Sequence, residues 1–332
     1  MMIPSWLIDV ALLVIKLAVS LVGLLMIAAY LVLAERKLLG RMQIRLGPNR
    51  AGWHGALQPI ADVVKMITKE DARPRGADLF LYWFAPAVTA LTAFLIAAVV
   101  PFGPALNIFG HRFEPMVLDL NVGVLYALAF SSIGVYGVSL GGWASNSKYS
   151  LLGAVRAAAQ MISYELPLAL SLVPTVMLAG SLRLTDIVEA QAGLPFILVQ
   201  PVAFAIFLIA AFAEAKRIPF DLPEAENELM AGFHTEYSGM RFGLYFLGEY
   251  VNMIVLGSLV TVFFLGGWHG PLLPPMVWFL LKVFALVFVM IWSRGTLPRL
   301  RWDQLMGFCW KVLTPLALVN IVVTAGIMVL LS

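Results

Sequence analysis

Eight apolar runs decide what this chain can become. They lie near residues 5–34, 79–102, 119–143, 157–180, 198–216, 243–266, 274–294 and 307–331, and each approaches or exceeds the roughly 20 residues that a helix needs to cross the hydrocarbon of a bilayer. Several are long enough to require tilt. The chain has 332 residues, 61% of them hydrophobic and only 12% charged, and a soluble core of this length cannot hide that much apolar surface. A membrane β-barrel would show short alternating segments instead. The expected fold is therefore an all-α polytopic membrane protein, a single membrane domain over residues 1–332. It has about eight tilted transmembrane helices and long cytoplasmic loops at 35–78 and 214–242. The N-terminal run has no basic segment before it and is too long for a signal-peptide core, so it reads as a retained first helix.

An even number of spans puts both termini on one side, and Lys and Arg choose that side. Seventeen of the twenty-two basic residues fall in 35–78, 144–156, 214–241 and 294–306. The positive-inside rule makes these segments cytoplasmic and both termini external, which in a bacterium means the periplasmic side of the inner membrane. This distribution, rather than the small net charge of +3, favours membrane lipids over nucleic acid as partner. Trp6, Trp83, Trp143, Trp268 and Trp302 fall near expected span ends, as interfacial belts do. In 55–71, Ile60, Val63, Val64 and Ile67 share one helical face, which predicts an amphipathic helix along the membrane surface. One cysteine, Cys309, excludes a disulfide framework and a cysteine-ligated iron–sulfur cluster held by this chain alone. The four histidines show no metal spacing. Lys16 and Lys282, deep in their spans, require partners, whereas Lys311 is close enough to the boundary to snorkel.

Negative charge is scarce but gathered. Asp221, Glu224, Glu226, Glu228 and Glu236 crowd one loop, five of the nineteen acids in the chain. Glu165, Glu214 and Glu249 lie inside expected spans, where a charge costs about 3 kcal/mol even on the mildest scale. With spans starting near 157 and 243, Glu165 sits about 12 Å and Glu249 about 9 Å from the cytoplasmic side. Glu224 and Glu228 share a helical face, and like charges in a buried setting are pushed toward neutral pH. A relay from the loop through Glu214 and Glu249 to Glu165 is one reading, and His234 among the acids is able to join it. The plainer reading pairs each acid with a buried Lys or Arg that only fixes packing.

ERKLLGRMQIRLGPNRAG (35–52) and AEAKRIPFDLPEAENELMAGFHTEYSGMRFGLYFLGEY (213–250) resemble the two signature regions of one family. It comprises the quinone-site membrane subunits of proton-pumping NADH:quinone oxidoreductase, respiratory complex I (the H subunit of bacteria and its mitochondrial counterpart). LQPIADVVKMITKED (57–71), KYSLLGAVRAAAQMISYE (148–165) and GGWHGPLLPP (266–275) match as well, so the resemblance runs along essentially the whole chain. Lys216 stands where the pattern has Asn, and Asn227 where it has Ser. Neither departure removes a carboxylate.

The resemblance implies a subunit of a translocating enzyme, with no catalytic residue of its own. It implies a lipid quinone, ubiquinone or menaquinone, as substrate, and NAD and iron–sulfur clusters bound by partners. Those partners are peripheral-arm iron–sulfur and quinone-site subunits on the cytoplasmic side, small membrane subunits and antiporter-like subunits. Glu35, Arg36, Arg45 and Asp62 would line or border the quinone passage. Asp221, Glu224, Glu226, Glu228 and Glu236 would form the acidic coupling loop, and Glu165, Glu214 and Glu249 would begin the charged axis. The residues themselves fit this picture: an apolar tail needs an apolar passage with few polar groups, and Phe220 and Phe233 are able to supply wall. Loop 217–242 is expected to have two arrangements biased by quinone redox state, with Gly232 and Gly239 allowing the change. Two alternatives remain at this level. One is the related membrane subunit of a membrane-bound hydrogenase or formate hydrogenlyase. The other is an independent proton or cation transporter, although the inverted repeats common in such folds are not evident.

Overall fold

The computed structural model describes residues 5–108, 111–113, 115–223 and 231–331. In chain order its helices are α1 (Ser5–Met42), α2 (Gln58–Thr68), α3 (Leu79–Ala97), α4 (Gly123–Ala144), α5 (Lys148–Ala179), α6 (Leu184–Glu189) and α7 (Phe196–Val199). They continue with α8 (Pro201–Glu214), α9 (Gly239–Phe264), α10 (Pro275–Thr296), α11 (Trp302–Phe308) and α12 (Thr314–Leu331), the last two joined by a π turn, Cys309–Leu313. One antiparallel hairpin, β1 (Leu106–Ile108) with β2 (His111–Phe113), interrupts an otherwise helical chain. Among the described residues, seven helical stretches are long and apolar enough to cross a membrane: α1, α3, α4, α5, α9, α10 and the α11–α12 rod. The chain is a polytopic membrane protein of the all-α class.

The expected span at 198–216 takes a different form. It is broken into α7 and the 14-residue α8, whose rise of about 21 Å falls short of a bilayer core. Pro201 at the first position of α8 removes a backbone donor, and Gln200 before it leaves the helical region at φ −127°, ψ 56°. Broken backbone at membrane depth needs polar partners from within the protein. Here Gln200 Nε2 donates to Thr324 Oγ1 at 2.9 Å, and Asn320 Nδ2 donates to Gln200 Oε1 at 3.0 Å. Two other boundaries move by more than five residues. α1 continues through Glu35 and Arg36 to Met42 instead of ending near 34. α5 starts at Lys148 rather than near 157, which sets Glu165 nearly five turns into it.

α9 is the central helix. Val251, Met253, Val260 and Val262 are fully buried, and α9 packs on α1, α2, α3, α8 and α10. α3 and α4 lie close because Gly137 faces the backbone: a Cβ there would meet Thr89 N at 2.9 Å and Ala85 O at 3.0 Å. α2 leaves Ile60, Val63, Val64 and Ile67 exposed, the apolar face that its spacing predicts. Lys282 finds its partners in carbonyls. Its ammonium donates to Leu265 O (2.6 Å), Gly267 O (2.9 Å) and His269 O (2.7 Å), closing the C-terminal end of α9, where the helix dipole favours a cation. Trp83 and Trp143 are exposed near span ends, but Trp268 is only 6% exposed and packs into the core rather than a belt.

Candidate functional site

The scarce charges converge where α1, α9 and α10 meet the segment after α8. Glu35, 2% exposed, is held from three sides. Arg217 Nη1 lies 3.0 Å and Arg294 Nη1 2.5 Å from its Oε1, and Tyr250 donates its hydroxyl to Oε2 at 2.7 Å. Arg217 also places Nη2 3.0 Å from Glu249 Oε1, and stacks over the Tyr250 ring at 4.8 Å. Burial disfavours the Arg217 charge, but Glu249 and Glu35 outweigh it and hold its pKa above the ordinary arginine value. A buried charge persists only when paired in this way, so for Glu35 and Glu249 the pairing expected of a structural ion bridge is present.

Beside this hub lies a cavity of about 200 Å³, lined by Glu214, Lys216, Arg217, His234, Glu249 and Arg294, among others. Two adjacent serines of α4 join it to the third intramembrane acid. Ser131 donates to Glu214 Oε1 at 2.9 Å, and Ser132 donates to Glu165 Oε1. Glu214 is buried, whereas Glu165 is half-buried between the exposed Ile162 and Leu166 on a lateral face of the chain.

A second, apolar groove of about 100 Å³ runs between α1, α2 and α9. Val32, Met66, Phe246 and Leu247 form wall, and Arg36 and Asp62 form its polar part. Arg36 Nη1 meets Asp62 Oδ2 at 2.8 Å, and Gln58 steadies the other oxygen at 3.0 Å. Two residues belong to both neighbourhoods. Phe246 lines the groove and the acid cavity, and Tyr250 lines the groove while bonding Glu35 in the hub.

The expected residues divide accordingly. Arg36 and Asp62 meet at the groove. Glu35 sits behind it, in the hub. Arg45 is exposed, bonds Gln43 at 2.7 Å and stands away from the groove wall. Phe220 is buried against Tyr164, ring centroids 5.4 Å apart, and does not line the groove. Phe233 lines the acid cavity together with His234, with Lys216 Nζ 4.9 Å above its ring. Glu236 is half-buried, and its carbonyl accepts the Tyr82 hydroxyl at 2.6 Å. Glu224, Glu226 and Glu228 lie outside the described residues. Arg217, Tyr250, Arg294 and the α4 serines are partners that sequence reading did not single out. Each buried acid demanded a donor, but which donor it found depends on helix packing.

Asp221 is 2 residues beyond Pro219 and pairs with Arg299 Nη2 at 3.2 Å. Burial pushes its carboxyl from 3.8 up to about 6, with Arg299 opposing and Glu249 adding to the rise. A carboxyl whose folded value stands above its unfolded one favours the fold when protonated, and that contribution is lost as pH rises through the two values. Asp221 should therefore contribute a loss of stability as pH rises between about pH 4 and 6, so that Asp221→Asn changes the slope of the wild type by that contribution. Thermal unfolding of the assembled enzyme across that range measures it. An unchanged slope would count against a buried, titrating Asp221.

Residues 15–325 match the family model described as NADH dehydrogenase. The chain is 66% identical over 322 residues to the second NADH-quinone oxidoreductase H subunit of Syntrophobacter fumaroxidans, covering 97% of each chain. It is 64% identical over 322 residues to the first H subunit of the same enzyme in Geobacter metallireducens, covering 97% of this chain and 98% of that one. A more distant relative, the H subunit of Protochlamydia amoebophila, is 50% identical over 298 residues, 90% of this chain and 92% of its own length. Matched almost end to end, and with its signature segments supplying the charge hub and its neighbouring cavity, the chain belongs to the NADH dehydrogenase family as a membrane subunit of an NADH-quinone oxidoreductase.

Proposed function

We propose that this subunit forms the lipid-facing passage for a quinone and couples quinone reduction to proton translocation through its buried carboxylates. The observation that carries this reading is the shared position of Tyr250, whose ring borders the apolar groove and whose hydroxyl holds Glu35 in the hub. A quinone tail suits the walls formed by Val32, Met66, Phe246 and Leu247, and Arg36 offers a donor to a carbonyl oxygen passing by. Electrons come from a cluster held by a peripheral partner, which also provides the reducing end of the chamber. NAD is bound by partners too. Reduction to quinol adds two electrons and takes up two protons. Proton loss from groups near the passage changes the electrostatic energy of Asp221, Glu249 and Glu35. Through the shared arginine that change spans Glu35 and Glu249, across the cavity that Arg217 and Glu249 border it reaches Glu214, and Ser131 and Ser132 lead on to Glu165. Glu165, half-buried on its lateral face, hands charge to neighbouring membrane subunits, which in this reading are antiporter-like. Both termini face the periplasm.

The loop 217–242 is the bistable element in this scheme. Gly232 and Gly239 both have positive φ, 60° and 57°, a region costly to residues with a Cβ. Between them, Ser150 donates to Phe233 O at 2.7 Å and Tyr237 donates to Gly141 O at 3.1 Å, which ties this part to α5 and α4.

Tyr250→Phe tests the scheme, because it keeps the groove wall and removes the bond to Glu35. In proteoliposomes, the KM for a long-tailed quinone should stay within about twofold while protons moved per electron fall at least about twofold. A wild-type ratio would separate the groove from the relay and defeat the proposal.

A further inference from the structure

Arg217 holds Glu35 and Glu249 together, yet it stands on an irregular segment. After α8 the chain passes through Lys216 at φ 53°, a left-handed conformation that a lysine adopts at a cost, and no helix or sheet fixes residues 217–220. Their backbone is held by two turn bonds, Arg217 N to Phe212 O at 3.2 Å and Phe220 N to Arg217 O at 2.7 Å, and by groups from two sides. From the α10 side, Ser293 Oγ donates to Ile218 O at 3.1 Å, and just beyond α10 Leu300 N donates to Pro219 O at 3.1 Å. From the α5 side one residue acts at both ends of the segment. Gln160 Nε2 donates to Ala213 O at 2.9 Å and to Phe220 O at 2.7 Å. Ala213 immediately precedes Glu214, and Phe220 immediately precedes Asp221.

Gln160 is fully buried, and its Oε1 has no hydrogen-bond partner among the described residues. A buried amide that leaves its acceptor unsatisfied is destabilising unless its donors are needed. Both hydrogens of the NH2 group are used, one on each carbonyl, so the separation of those carbonyls is set by one rigid group. α5 also carries Glu165, five residues further along the chain. The turn that bears Arg217 and the helix that bears Glu165 are thus linked by the two hydrogen bonds of one side chain, beside the packing of Phe220 on Tyr164.

We infer that Gln160 is a positioning residue for coupling: it holds the turn 213–220 so that Arg217 bridges Glu35 and Glu249, and it ties that turn to α5. It lines neither the apolar groove nor the acid cavity, and its two hydrogen bonds go to backbone carbonyls rather than to the intramembrane acids. This inference rests on the proposed relay, and the test separates the two. Gln160→Met keeps length and volume but removes both donors. In the assembled enzyme in proteoliposomes, quinone reduction should fall less than about twofold while protons per electron fall at least about twofold. Gln160→Asn retains an amide that is one carbon shorter and reaches one carbonyl, so it should give an intermediate ratio.

A purely structural role would lower the amount of assembled enzyme and leave the ratio of what remains unchanged, and that result overturns the inference. Combination with Arg217→Lys supplies the second readout. If Gln160 acts through Arg217, the two losses in ratio do not add; additive losses also overturn it. Should Arg217→Lys by itself keep the wild-type ratio, the relay reading fails. Should it uncouple while Gln160→Met does not, only the role of Gln160 fails.

Discussion

Replacement of Arg217 by alanine should be among the most damaging single changes in the chain. The side chain is 5% exposed and serves two carboxylates at once, Glu35 and Glu249, each at 3.0 Å. Removing one member of a buried ion pair costs about 3–5 kcal/mol, because the other charge stays desolvated. That loss is a large part of the roughly 5–15 kcal/mol that holds a typical domain folded. Arg294 keeps a hold on Glu35 at 2.5 Å, so the heavier loss falls on Glu249 and on the wall of the acid cavity. The expected result is a sharp fall in assembled enzyme and in its unfolding temperature, with proton transfer lost from the fraction that assembles. Arg217→Lys should be milder for assembly. It restores one positive charge but cannot place two nitrogens on two carboxylates in a fixed fork. Native gel quantification together with proton uptake per electron measures both. An alanine variant with wild-type amounts and wild-type coupling would mean that the guanidinium bridges neither acid in the working enzyme.

Much of this architecture is legible in the sequence. Seven of eight spans are visible as apolar length alone, because hydrocarbon thickness imposes that length on any crossing helix. The eighth is legible as apolar but not as broken. Pro201 marks the start of α8, yet nothing local tells that Gln200 turns out of the helix to meet Thr324 and Asn320, more than a hundred residues away. The acids are legible as a site because charge in hydrocarbon is costly. Their wiring is not, since Arg217, Arg294 and Tyr250 reach Glu35 from three distant parts of the chain. The Lys216 position illustrates the middle ground. The signature pattern has Asn there, the backbone is left-handed with φ 53°, and Asn tolerates that region better than most residues. A motif residue that looks chemical is thus also a backbone requirement, and the lysine that replaces it adds a cation to the cavity wall.

Gly141→Ala should be nearly as disruptive, although it adds only one methyl group. Three tyrosines dock where α3, α4 and α9 meet. Tyr82 stacks on Tyr237 at 4.3 Å, and Tyr237 meets Tyr245 edge-on at 5.0 Å. The hydroxyls of the last two end on α4, Tyr237 on Gly141 O at 3.1 Å and Tyr245 on Gly137 O at 3.0 Å. A Cβ on Gly141 would overlap the Tyr245 hydroxyl and lie 3.1 Å from its Cζ and 3.4 Å from the Tyr237 hydroxyl. Neither ring has room to retreat, because both are buried and Phe233 closes on Tyr245 at 5.2 Å. Overpacking of this kind costs about 1–3 kcal/mol, and each buried hydroxyl that loses its carbonyl adds about 1–3 kcal/mol. The strain has a functional direction. Tyr237 and Phe233 anchor the end of the acidic loop, and Phe233 and Tyr245 line the acid cavity, so relief of the clash moves cavity wall. The expected result is a lower unfolding temperature together with a reduced proton-to-electron ratio. Tyr245→Phe alone should cost less, and in the double variant it should recover part of the Gly141→Ala loss by vacating the overlapped hydroxyl, a non-additivity that two independent defects would not produce. Unfolding temperatures of the four forms decide it. Simple addition of the two losses would show that the glycine is not there to admit the tyrosine.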